Sequence, residues 1–279
     1  MNSNVLYVSD LDGTLLNREK RVTTYTADMI NQCIKRGMKF TVATARMPYG
    51  CDYRLRDIRI NAPGILTNGV FLYDFREEKM ISAEAISAAS AEIVIDIFRE
   101  HNLSCFVYTY DQRGITIYYG DKSLELQTQY YSERAVKKCA GVRLANNLKS
   151  VLGSGETVYI TYTGSKARLE PVSRELDHVK GIAYSFYLNI YNGLYCLEIF
   201  SHKASKRNAL IKLKDLTGSS ELVVFGDNLN DVSMIELADR SYAPENALEG
   251  VKHMVTGILP DCDHDGVARF LAKEWEIVK

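Results

Sequence analysis

Val5 to Val8 form a short, continuous apolar run, the pattern of a strand covered on both faces by other elements. Residues 24–36 then read as a helix, with Thr23 or Thr24 to cap its start and Gly37 to end it. A second strand follows at 38–44 and a third, GILTN, at 64–68. Strand, helix, strand predicts a parallel sheet. The alternation breaks near residue 82 and resumes near residue 205. Between them, residues 82–102 place Ile86, Ala89, Ile93 and Ile97 on one helical face. Strand-like segments come next at 105–110, 114–119, 157–163, 182–188 and 194–200. From Ser205 the pattern predicts a helix to about Leu216, the strand ELVVFGD (221–227), a short helix from Asp231, and strands at RSYA (240–243) and HMVT (253–256). The predicted fold is α/β: a Rossmann-like parallel-sheet core with helices on both faces (1–81 and 202–279), interrupted by an α+β domain at 82–201.

Composition narrows the function classes. With 46% hydrophobic and 25% charged residues the chain reads as an ordinary globular protein, and no stretch reaches the roughly 20 apolar residues of a membrane helix. Lys+Arg of 34 against Asp+Glu of 35 leaves a net charge of −1, which gives no support for a nucleic-acid-binding face. The expected partner is a small molecule, with neither nucleic acid nor membrane; the sequence sets no oligomeric state. Six cysteines without a C-x-x-C pair indicate neither a zinc site nor a disulfide framework, and no signal peptide is evident, so a cytoplasmic location is expected. His264 reads as a solvated loop residue, and the GSG at 153–155 lacks the context of a dinucleotide loop.

Ligands of an open parallel sheet bind beyond the carboxyl ends of its strands. Those ends carry Asp10, Thr44, Asn68-Gly69 and Asp227. Asp10 and Asp227 suit a hard divalent cation such as magnesium, and a metal-engaged Asp10 would keep one oxygen free to attack phosphorus. Asp12, at i+2, could protonate a departing alkoxide and later activate water, while Gly13 permits the turn that aims both carboxylates into one space. Backbone N–H groups around Leu11, the Thr44 hydroxyl and a lysine could stabilise the phosphoryl oxygens. Arg46 could grip a substrate anion.

Together these residues resemble the haloacid dehalogenase-like hydrolases, and within them the Cof-type phosphatases. The motifs stand as DLDGT (10–14), ATAR (43–46), Lys206 in ASKRNAL (204–210) and GDNLND (226–231); TNG (67–69) and DGVA (265–268) also fit. The resemblance implies Asp10 as nucleophile, Asp12 as general acid/base and, through its backbone carbonyl, metal ligand, and Asp227 as magnesium ligand. It implies phosphate contacts from Thr44, Lys206 and Asn230, while Leu11, Ala45, Arg46, Asn68 and Gly69 are further candidates for phosphate or substrate contact. Asp231 would support the metal or Lys206. Lys203 is the rival for the role of Lys206, which is favoured because the helical pattern runs on from it. Ala45 stands where glycine is usual, and YAPENA (242–247) replaces a glycine-rich loop.

The presence of Asp12 favours phosphate-ester hydrolysis over dehalogenation, and the long segment between Thr44 and Lys206 places a cap there. Twelve of the 18 tyrosines lie between 108 and 195, suited to stacking on a sugar or flat heterocycle, though tyrosine is also a favoured strand residue. The expected activity is a magnesium-dependent phosphatase of small phosphate monoesters, sugar phosphates leading. A hexose phosphomutase and a non-catalytic sugar-phosphate sensor are the alternatives.

Overall fold

The computed structural model describes residues 4–124, 139, 141–189 and 192–277. Tyr130, Tyr131 and Tyr191, counted among the tyrosines above, lie outside them. The chain divides into two compact units, Met1–Ser82 with Ser205–Lys279, and Ala83–Ala204.

The first part of the chain contributes β1 (Val5–Ser9), β2 (Lys39–Val42), β3 (Gly64–Leu66), β4 (Phe71–Asp74) and β5 (Lys79–Ala83). The inserted part holds β6 (Phe106–Asp111), β7 (Gly114–Tyr119), β8 (Gly141–Leu144), β9 (Glu156–Gly164), β10 (Ile182–Asn189) and β11 (Leu194–Ser201). The return segment adds β12 (Glu221–Phe225), β13 (Arg240–Pro244) and β14 (Gly257–Leu259).

In the discontinuous unit, five strands form a parallel sheet in the order β14-β13-β12-β1-β2. β3 continues it through the bridge of Ala43 to Ile65 and leads into the antiparallel β3-β4-β5 sheet. Alternation along buried strands sends successive side chains to opposite faces. Leu6, Val8, Leu222 and Val224 pack with Ala209, Leu210 and Leu213 of the helix Lys206–Thr217. On the other face Tyr7 meets Trp275 edge-on and Phe225 meets Phe270 of the helix Gly266–Glu274. That helix packs on Thr24–Lys35 through Met29, Ala268 and Ala272. Helices therefore cover both faces, as the sequence predicts. Thr23 caps the first helix, accepting from the Thr26 amide.

The inserted unit is a six-stranded sheet, β10-β11-β9-β6-β7-β8, antiparallel except where β7 meets β8. The helix Ala88–Glu100 packs on one face, where Phe98 meets Tyr162 of β9. The register puts Tyr159, Glu198 and Tyr187 together on the opposite face.

Two expectations need correction. Ser87 caps the helix, so Ile86 lies in extended chain and donates its amide to the Thr157 carbonyl; the buried face carries Ala91, Val94 and Phe98, while Ile93 is half exposed. The last strand is β14, not 253–256, because His253 and Met254 still donate into the helical turn Glu249–Lys252. The helices Lys166–Leu176 and Gly266–Glu274 and the strands β4, β5 and β8 were not anticipated by the hydrophobic pattern.

Candidate active site

β1 ends at Ser9, and the next residue, Asp10, extends the ladder by donating its amide to the Phe225 carbonyl at 2.8 Å. Its carboxylate is buried at the sheet edge. Oδ1 accepts from Lys206 Nζ at 2.6 Å, and among the described residues Oδ2 has no hydrogen-bond partner. Lys206 opens its helix behind the Ser205 cap, and its side chain is only 1% exposed. It also reaches Asp231 Oδ1 at 2.6 Å. Lys203 is exposed, so Lys206 is the lysine that meets Asp10.

Asp231 organises the loop after β12. Its Oδ2 accepts the amides of Asp227 and Asn228 at 3.0 and 3.2 Å, which fixes where Asp227 points. Asp227 Oδ1 accepts from the Thr14 hydroxyl at 2.8 Å. Gly13 is required twice over: its φ is +86°, and a Cβ there would come to 2.5 Å from Asp227 Oδ2. Carboxylate oxygens of Asp10, Asp227 and Asp231 all lie within 4.8 Å of one another.

Three carboxylates thus face one ammonium, and the electrostatics reflect the imbalance. Burial pushes the Asp10 carboxyl well above the usual range against the pull of Lys206, with Asp231 and Asp227 adding to the rise. Burial is also the main reason Asp227 is pushed up to about 6. Burial alone would lower the Lys206 ammonium, but Asp10 and Asp231 hold it above the ordinary lysine value. An excess of converging hard oxygens is the donor set a divalent cation requires. Both oxygens of Asp231 are engaged by Lys206 and the loop amides, which leaves Asp10 and Asp227 better placed as ligands.

Asp12 occupies a different environment. Arg46 donates Nε to Oδ2 at 2.6 Å and Nη2 to Oδ1 at 2.7 Å, and Lys20 Nζ lies 3.1 Å from Oδ1. Burial acts to raise this carboxyl, yet Arg46 and Lys20 hold it below the usual range. Thr44 is buried, and its hydroxyl accepts the Arg46 amide at 3.1 Å. Ala45 beside it is exposed. The Leu11 side chain is buried while its carbonyl accepts the amides of Leu15 and Leu16, closing the turn.

Asn68 adopts a left-handed conformation, φ 52°, and accepts from the Asn230 amide at 3.3 Å, joining the TNG and GDNLND segments. Gly69, φ +100°, passes so close to the Ser205 backbone that no side chain fits. Two contributors escaped the sequence reading. Lys20 lies in a loop with no motif around it, and Asn246 of YAPENA donates to the Gly13 carbonyl at 2.8 Å. An asparagine in a strand-end loop was the one available signal.

The family model described as haloacid dehalogenase-like hydrolase matches residues 7–271. The chain is 28% identical to a 5-amino-6-(5-phospho-D-ribitylamino)uracil phosphatase of Bacillus subtilis, covering 94% of this chain and 95% of the relative. It is 23% identical to a pyridoxal phosphate phosphatase of Escherichia coli, over 94% and 95%. Among solved structures, a haloacid dehalogenase-like hydrolase from Bacteroides thetaiotaomicron superimposes with a TM-score of 0.76 at 25% identity, over 96% of this chain and 98% of that one.

Proposed function

The chain belongs to the haloacid dehalogenase-like hydrolases, and on that premise we propose that it is a magnesium-dependent phosphatase of small phosphate monoesters. The observation that carries the reading is Oδ2 of Asp10, without a hydrogen-bond partner among the described residues and held beside Lys206 in a cluster with surplus negative charge. Asp10 and Asp227 would hold the magnesium, joined by the Asp12 backbone carbonyl as the family resemblance implies. When bound, the cation would offset the charge of the carboxylates and of the incoming phosphoryl group, allowing the two to approach.

In this reading Asp10 Oδ2 attacks phosphorus as the bond from phosphorus to the ester oxygen breaks. Asp12 passes a proton to the departing oxygen, so the product leaves as an alcohol and an aspartyl-phosphate remains. Asp12 then takes a proton from water, whose oxygen attacks phosphorus. Inorganic phosphate is released and the Asp10 carboxylate is restored. Lys206, Thr44 and Asn230 would bind the phosphoryl oxygens, with the turn amides around Leu11 and Ala45, and Asp231 keeps Lys206 charged and oriented. Asn68 and Gly69 would border the same space.

The substrate class follows from chemistry that the relatives share. One is named for a phosphorylated ribityl-pyrimidine and another for pyridoxal phosphate, both small metabolites bearing one phosphate monoester. Sugar phosphates and such heterocyclic phosphates are the proposed substrates. Residues 83–204 would form the cap, and the tyrosines Tyr159 and Tyr187 belong to it.

The test is phosphate release from 4-nitrophenyl phosphate with and without magnesium. Release that needs magnesium and is abolished by Asp10→Asn is the expected result; full activity in that variant overturns the assignment.

A further inference from the structure

Asp12 has its backbone pinned by the bridge to Leu16, so its remaining freedom is in the side chain. Two cations take up that freedom. The guanidinium of Arg46 meets both carboxylate oxygens with two parallel N–H donors, a geometry that fixes rotation of the carboxylate as well as its position. The Arg46 backbone is itself fixed, its amide on Thr44 Oγ1 and its carbonyl accepting from the Thr67 amide at 3.0 Å. The fork therefore springs from the phosphate-site segment. Lys20 comes from a separate segment, in a turn closed by the bonds of its amide to the Asn17 carbonyl and of the Asn17 amide to the Arg21 carbonyl. Its φ is +61°, and its carbonyl accepts from Arg54. Asp12, Lys20 and Arg46 are each only about one-third exposed or less, unlike a solvated surface pair.

We propose that Arg46 and Lys20 are positioning residues that together orient the Asp12 carboxylate toward the leaving-group oxygen. The inference rests on the phosphatase reading and extends it to two residues outside the reacting set. Three bonds from two segments restrain the carboxyl; without them it could adopt other side-chain rotamers, and proton transfer would wait on the productive one. The same cations oppose protonation of Asp12, so removing one eases protonation while it loosens the group, and a loss of proton transfer on removal reports position. Arg46 in this role acts through Asp12, in place of gripping the substrate.

The leaving group provides the test. A nitrophenolate departs without needing a proton, whereas an alkoxide requires one, so misplacing Asp12 slows alkyl esters selectively. The constant kcat/KM, which reports the step in which the leaving group departs, is measured for 4-nitrophenyl phosphate and glycerol 3-phosphate in wild type and in the Arg46→Met, Arg46→Lys, Lys20→Met and Lys20→Arg variants. The alkyl-to-aryl ratio is expected to fall by about tenfold or more in Arg46→Met, within the range of lost acid catalysis. Lys20→Met should lower it less, Lys20→Arg should restore it, and Arg46→Lys should recover only part because a single ammonium cannot fork. An unchanged ratio overturns the proposal, whether both constants fall together, both stay constant, or KM alone rises. A wild type inert toward both esters in magnesium overturns the phosphatase reading and this proposal with it, so the two failures are distinguishable.

Discussion

Each unit of this chain holds a carboxylate on a sheet, buried at Asp10 and half-buried at Glu198, and the two are held in opposite ways. In the discontinuous unit Asp10 sits beyond the end of a parallel strand, among Asp227, Asp231 and Lys206. In the inserted unit Glu198 sits mid-strand on an antiparallel sheet, where Tyr187 donates to it at 2.8 Å and Tyr159 also hydrogen-bonds it. Burial raises both above the usual carboxylate range. A raised carboxyl therefore does not by itself mark a reactive site. What separates them is completion: neutral phenols satisfy Glu198, whereas the acids around Asp10 outnumber the ammonium of Lys206 and, among the described residues, leave an oxygen free.

The sharpest way to break this contrast is to remove the charge at each place. Asp10→Asn should lower kcat/KM on any accepted ester by about 10^4-fold or more, the scale of a lost nucleophile, measured by phosphate release. If Glu198→Gln does comparable damage toward 4-nitrophenyl phosphate, the contrast collapses. Asp12→Asn should cost about 10^2- to 10^4-fold on alkyl phosphates and visibly less on nitrophenyl phosphate.

Magnesium binding comes next. Asp227 is pushed up to about 6, so protons compete for it below that pH and leave it free above. Calorimetric titration at pH 5 and pH 8 should show weaker magnesium binding at the lower pH, with Asp227→Asn weak at both. Equal affinity of the wild type at the two values would remove Asp227 from the ligand set.

The smallest effect belongs to Glu198. Its folded carboxyl lies above the usual glutamate value, so the stability it contributes is complete below the unfolded value and is lost as pH rises through the folded one. Relative to Glu198→Gln, the wild type should therefore gain stability on going from pH 8 to pH 4. Urea melts of both proteins at the two pH values measure the difference.

The same contrast explains what was legible in the sequence. Asp10, Thr44, Lys206 and Asp227 could be placed because a parallel sheet gathers its chemistry at strand ends and because each stands in a motif with fixed spacing. Lys20 could not, since nothing in a polar turn says that its ammonium folds back eight residues onto Asp12. The helix face is ambiguous in the sequence because Ile93, Val94, Ile95 and Ile97 are all apolar, so its phase depends on the Ser87 cap. Lys166–Leu176 was hidden by Pro171 in its interior. Glu198 is the one charge in the apolar run LYCLEIF (194–200), and the tyrosines that meet it come from two other strands, a pairing that only the register reveals.

The ion pair of Asp10 with Lys206 has a bearing on how the protein is made. Its members are 196 residues apart, and β1 must wait for β12 before its second edge is paired. On a ribosome the whole inserted unit is synthesised before either closure is possible, so it is free to fold first. Until residues 221–225 emerge, β1 presents an apolar, unpaired edge of the kind that recruits other chains. The long interruption that divides the hydrolase core thus sets the length of time for which that core is vulnerable to aggregation.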